Sequence, residues 1–150
     1  MNAVRSAALT PISSAPTATR VPAIGLLRAL LLGEALLGLL MAIVLSMVAS
    51  ALNASLGGEA GIAAEQNLRF AAGFAFLFAI LAAFASRGAR RRRAWSWTLA
   101  ALLQLVLAVG TGIAILIATW HPAYLLGFAL AAIVMLVLSA PSVRRALGQE

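Results

Sequence analysis

Apolar residues along this chain gather into four long runs separated by short polar segments. The first run extends from Ile24 to Leu52, broken only by Arg28 and Glu34, and the second from Leu68 to Ala85. The third covers Ala94 to Trp120, with Gln104 inside it, and the fourth covers Tyr124 to Ala140, where Pro141 stops it. A helix needs roughly 20 residues, at about 1.5 Å each, to cross about 30 Å of hydrocarbon, and each run is near or above that length. Lipid offers backbone groups no hydrogen-bond partners, and four segments are too few for a closed barrel. The pattern therefore predicts an all-α, integral membrane four-transmembrane-helix bundle, with helices at about 24–52, 68–85, 95–119 and 123–140.

The intervening segments set the organisation around that 23–141 domain. Residues 1–22 are rich in Ser, Thr, Ala and Pro, with Pro11, Pro16 and Pro22, and read as a flexible solvated tail. Residues 53–67 ("NASLGGEAGIAAEQN") read as a polar loop, residues 86–93 ("SRGARRRR") as a basic loop, and residues 142–150 as a second tail. Arg5, Arg20 and Arg28 precede the first helix; Arg87 and Arg90 to Arg93 lie between the second and third; Arg144 and Arg145 follow the fourth. Excess Arg marks cytoplasmic loops, so both termini and the basic loop are expected in the cytoplasm, an N-in/C-in arrangement in a cell inner membrane. Trp95 and Trp97 on one side, with Trp120 and Tyr124 on the other, suit interfacial anchors. Ala49-Ser50-Ala51 has the form of a signal-peptidase site, but the run before it far exceeds the 7–15 apolar residues of a signal core.

Composition reinforces the membrane assignment. The chain is 63% hydrophobic and 10% charged, against about 45–50% and about 25% in soluble domains. All 11 basic residues are Arg, and Lys, Asp and Cys are absent, a bias suggestive of a high-GC bacterium. Without Cys there is no disulfide framework, zinc–thiolate site or thiol nucleophile, and a single His builds no multi-histidine metal site. No cofactor is implied. The net charge of +7 arises from Arg placed between apolar runs rather than along a nucleic-acid-binding face, so nucleic acid is not an expected partner.

Glu34 is the one carboxylate inside an apolar run. The stretch from Ala35 to Leu52 makes about 27 Å of helix, almost enough to span the hydrocarbon, which would leave Glu34 near the inner interface. Alternatively, the helix slides until Arg28 marks the interface and carries Glu34 roughly 9 Å into the core. An ionisable residue there faces a partner or a cavity. Gln104 enters from the same side at comparable depth, so a carboxyl–amide hydrogen bond between the first and third helices is expected. Small residues at i, i+4 spacing suggest the packing faces: Glu34, Gly38, Ala42, Ser46 and Ser50 on the first helix, and Ala71, Ala75, Ala79 and Ala83 on the second. Ala108/Gly112, Gly110/Ala114 and Gly127/Ala131 offer similar pairs on the third and fourth.

The remaining polar candidates lie at the interfaces. Arg87, Arg90, Arg91, Arg92 and Arg93 fix topology and contact anionic lipid headgroups, at about 1 kcal/mol per Arg. Glu65 lies four residues before Arg69, the favourable order for a helical ion pair, with Asn67 near an expected helix start. This group reads as an outer cap, or as one side of a shallow polar site with His121 and Tyr124. No nucleophile–base–orienter set, phosphate loop or carboxylate pair is recognisable, so catalysis is not expected.

Residues 67–93, "NLRFAAGFAFLFAILAAFASRGARRRR", resemble the central segment of small bacterial four-helix membrane families in the DoxX-like set, through Asn67, Leu68, Arg69, Phe70, Gly73 and the basic loop. That resemblance implies a membrane bundle and no established activity. Glu34 in the first helix is also similar in placement to the membrane-embedded Glu of the small multidrug resistance family, which implies proton-coupled export. The expected role is accessory or structural, without enzymatic activity, within a homodimer or larger membrane complex; the alternative is a small proton-coupled transporter with Glu34 as its protonatable residue.

Overall fold

A computed structural model describes residues 22–117 and 122–149. Among these the chain is all-helical, in the order α1 (Pro22–Leu56), α2 (Gly58–Arg90), α3 (Ala94–Ile117), α4 (Pro122–Ser139) and α5 (Pro141–Ala146). The expected 1–22 tail, apart from Pro22, lies outside the described residues, as do Trp120 and His121. Three helices, α1, α2 and α3, are long and apolar enough to cross a membrane. The 18 residues of α4 make about 27 Å of helix, slightly less than the hydrocarbon thickness. Leu116 is 85% exposed and Phe70 77%, and large apolar side chains are exposed along every one of these helices. A water-soluble surface does not tolerate apolar exposure on that scale, so this is a membrane protein.

Residues 53–67 do not form the expected loop. Both helices run through them, and Gly57 alone separates α1 from α2. Polarity there marks where the chain leaves the apolar span, not where helix ends: Ala, Glu and Gln are good helix formers, and Glu59 in the first turn of α2 suits the helix dipole. The reversal uses Gly57 and Gly58 at φ +62 and +56, conformations costly for any residue with a Cβ. The second helix therefore extends well beyond 68–85 at both ends, and the basic loop shrinks to a turn at Arg91–Arg93, with Arg92 at φ 50.

The α1–α2 hairpin is an antiparallel pair with a seam of three- and four-residue spacings. Leu27, Leu31, Glu34, Gly38, Ala42, Leu45 and Ala49 of α1 are buried or half-buried, as are Leu68, Ala72, Ala75, Ala79, Ala82, Ser86 and Ala89 of α2. On α2 spacings of four and three alternate, as in a coiled coil, and on α1 they do so except for two successive steps of four from Glu34 to Ala42. The expected i, i+4 stripes therefore hold only in part: Ser46, Ser50, Ala71 and Ala83 are exposed. Each four-residue step turns the helix about 40° past a full revolution, so such a stripe leaves the interface after two or three steps. At Gly38 the helices approach closely, and a Cβ there would lie 3.1 Å from the Ala75 carbonyl oxygen and 3.2 Å from the Ala79 Cβ.

The best-packed core sits at the Arg-bearing end. Leu27, Leu31, Ala85, Ala89, Ala100, Val134, Leu138, Val143 and Leu147 form one buried cluster drawn from α1 to α5. Residues 142–150 are therefore not a simple tail: α5 docks through Val143, and Gln149 Nε2 donates to the Ala94 carbonyl at 3.3 Å. Two more contacts close this end. Trp97 Nε1 donates to the Leu138 carbonyl at 3.1 Å, and Gly88 leaves room for the Trp95 ring and Ser96. Toward the other end Leu105, Val109, Ile113 and Ile117 of α3 and Leu126 and Phe128 of α4 are exposed.

Candidate functional site

Glu34 lies two turns into α1 beyond Leu27, on the same buried face as Leu31. Gln104 lies on the α3 face that also buries Ala100 and Leu103. The hairpin and α3 thus meet at two polar side chains, 3% and 0% exposed respectively. Gln104 Nε2 donates to Glu34 Oε2 at 2.7 Å, which is the expected α1–α3 bond. Of the two depths considered for Glu34, each concerned the bilayer; what the fold determines is that the carboxyl is enclosed by protein. Burying either polar group without this partner would cost about 1–3 kcal/mol.

The pair is incompletely satisfied. Glu34 Oε1 and Gln104 Oε1 are both buried, and neither receives a hydrogen bond. Both are acceptors, so their common need is a donor: a proton on the carboxyl, or a donor group brought by something bound between the helices. No group of three or more potential metal ligands occurs among the described residues.

A second polar group lies near the hairpin tip. Glu65 of α2 accepts from Asn53 Nδ2 of α1 and pairs with Arg69 one turn on. Gly61 allows this closeness, since a Cβ there would lie 2.9 Å from Asn53 Oδ1. The expected Glu65–Arg69 pair is present, whereas Asn67 lies in the interior of α2, nine residues after its start, rather than at a helix start. Arg69 is 63% exposed against 17% for Glu65, so the ion pair itself adds little and the Asn53 bond does more to join the helices. His121, expected to join this group, lies outside the described residues. Tyr124, at the start of α4, is half-buried.

The Arg residues collect at the opposite end. Arg87, Arg90, Arg91, Arg92 and Arg93 are all exposed around the α2–α3 turn, and α5, which carries Arg144 and Arg145, docks at the same end of the fold. Arg28, treated above only as a topology marker, is half-buried, and its Nε is enclosed without a partner. Ser86 of α2 donates to the Arg28 carbonyl at 3.5 Å. Asn53, Ser86 and Arg28 are the contributors that run-by-run reading missed. Their signal is reflection about Gly57–Gly58, which puts Asn53 opposite 61–65 and Arg28 opposite 86–87. Comparison with known family models, curated proteins and solved structures returns no match.

Proposed function

We propose that this chain is a bacterial inner-membrane protein of four spans, N-in/C-in, with an accessory or structural role and no catalytic activity. The observation that carries the reading is the buried Gln104–Glu34 bond, which clasps the α1–α2 hairpin to α3 among apolar side chains. Convergence of the α1 start, the α2–α3 turn and α5 at one Arg-rich end supports the shared sidedness of those segments. The apolar length of α4 between Pro122 and Pro141 supports a fourth span. Exposed apolar faces on α1 to α4 suit lipid, a second copy or the helices of a larger complex. The resemblance of residues 67–93 to DoxX-like families agrees with this reading and adds no activity.

A proton-coupled transporter is the second reading, favoured by the two donor-less oxygens at Glu34 and Gln104. Reconstituted vesicles separate the two. Under the accessory reading an imposed pH gradient drives no uptake of a panel of organic cations, and Glu34→Gln leaves abundance, folding and partner capture intact. Gradient-driven uptake by the wild type that vanishes in Glu34→Gln overturns it.

A further inference from the structure

The arginines do not surround the bundle evenly; three of them frame one groove. Between α1 and α2, at the Arg-bearing end, lies an open cavity of about 530 Å³ lined by Arg28, Arg87 and Arg90 and by Leu32, Ile80 and Phe84. No carboxylate lines it. Because the helices are antiparallel, moving inward means rising numbers on α1 and falling numbers on α2. On both, the order is the same: arginine first, then apolar side chain, Arg28 before Leu32 and Arg87 before Phe84 and Ile80. The apolar steps extend roughly 6 Å along α1 and roughly 10 Å along α2. Leu32, Ile80 and Phe84 are exposed, so the groove opens sideways toward lipid.

We infer that this groove is a binding site for an anionic glycerophospholipid, its phosphate held by Arg28, Arg87 and Arg90 and its acyl chain lying along Leu32, Ile80 and Phe84. The order of charge and apolar surface matches the order of groups in such a lipid. Guanidinium forks pair with phosphate oxygens bidentately, and Arg28 Nε, enclosed and without a partner, is a donor for one of them. Three cations with no acid among them favour a net negative headgroup over a zwitterionic one, whose amine they repel. Headgroup attraction for any exposed Arg is diffuse; a groove with an apolar floor makes one position on the surface selective. The inference rests on the membrane reading above, with the Arg end at headgroup level.

Native mass spectrometry of the full chain in detergent, titrated with phosphatidylglycerol or phosphatidylcholine, tests the site. Phosphatidylglycerol is expected to be retained as a discrete bound lipid and phosphatidylcholine not, while inorganic phosphate at the same concentration fails to displace it. Arg28→Gln with Arg87→Gln should weaken retention about tenfold or more. Arg91→Gln with Arg92→Gln, which removes equal charge outside the groove, should change it little. Should the Gln pair lose helicity, Arg28→Lys with Arg87→Lys carries the test: it keeps the charge, loses the forks and still weakens retention several-fold relative to Arg91→Lys with Arg92→Lys. Equal loss in the two pairs, or equal retention of both lipids, overturns the site. Insertion and sidedness are read separately by cysteine labelling, so a lost lipid preference with insertion intact counts against the groove alone.

Discussion

Glu34 and Gln104 use one hydrogen bond where their side chains could make several, and the two buried oxygens left without a partner, Glu34 Oε1 and Gln104 Oε1, are both acceptors. Replacing the carboxyl by an amide supplies the missing donor. Glu34→Gln is therefore expected to melt at or above the wild-type temperature in detergent, followed by circular dichroism. Glu34→Ala strands the Gln104 amide and should lower stability by about 1–3 kcal/mol. The partnership was legible in the sequence because both residues lie at similar distances from Arg-marked helix starts, Arg20 and Arg93. The enclosure of the pair was not, since hydropathy along one strand of sequence does not say which neighbour covers a side chain. Asn53 and Glu65 were read within one polar loop, which hid their pairing: the bond depends on a hairpin reversal, and both flanks of that reversal looked like loop.

At the scale of elements, the seam between α1 and α2 depends on small residues at three- and four-residue spacings. Gly38 and Gly73 make the contrast testable. A side chain at Gly38 meets the Ala75 carbonyl and Ala79, whereas one at Gly73 meets nothing within 4 Å. Gly38→Leu should destabilise the hairpin by about 1–3 kcal/mol through overpacking and Gly73→Leu by much less, measured by unfolding in mixed micelles. Helix identity and the three long apolar helices were legible from run length. Helix ends were not, because a polar segment leaving lipid and a polar loop look alike until glycine conformation is known. Leu147 makes the same point at the C-terminus: Leu147→Ala should cost about 2 kcal/mol or more, a loss that a solvated tail would not register.

Across the whole molecule, packing is concentrated where the arginines are, and apolar side chains are bared toward the opposite end. This asymmetry suits a chain whose Arg-bearing end holds its helices together while its opposite half meets lipid or other helices. Orientation can be read cleanly because the sequence contains no Cys. Single cysteines at Ala60 and Ser142 in intact cells should label oppositely with an impermeant maleimide, Ala60→Cys accessible from outside and Ser142→Cys only after permeabilisation. Charge distribution in the sequence is the ground for the expected sidedness; the docking of α5 against α1 and α4 depends on contacts between distant segments and was not legible. The clasp between the hairpin and α3 is the claim on which the rest turns, and a double-mutant cycle with Glu34→Ala and Gln104→Ala, read as unfolding free energy in bilayers, tests it most directly. The account predicts a coupling of about 0.6 kcal/mol, rising toward about 1.7 for so enclosed a pair; strictly additive single-variant losses would contradict it.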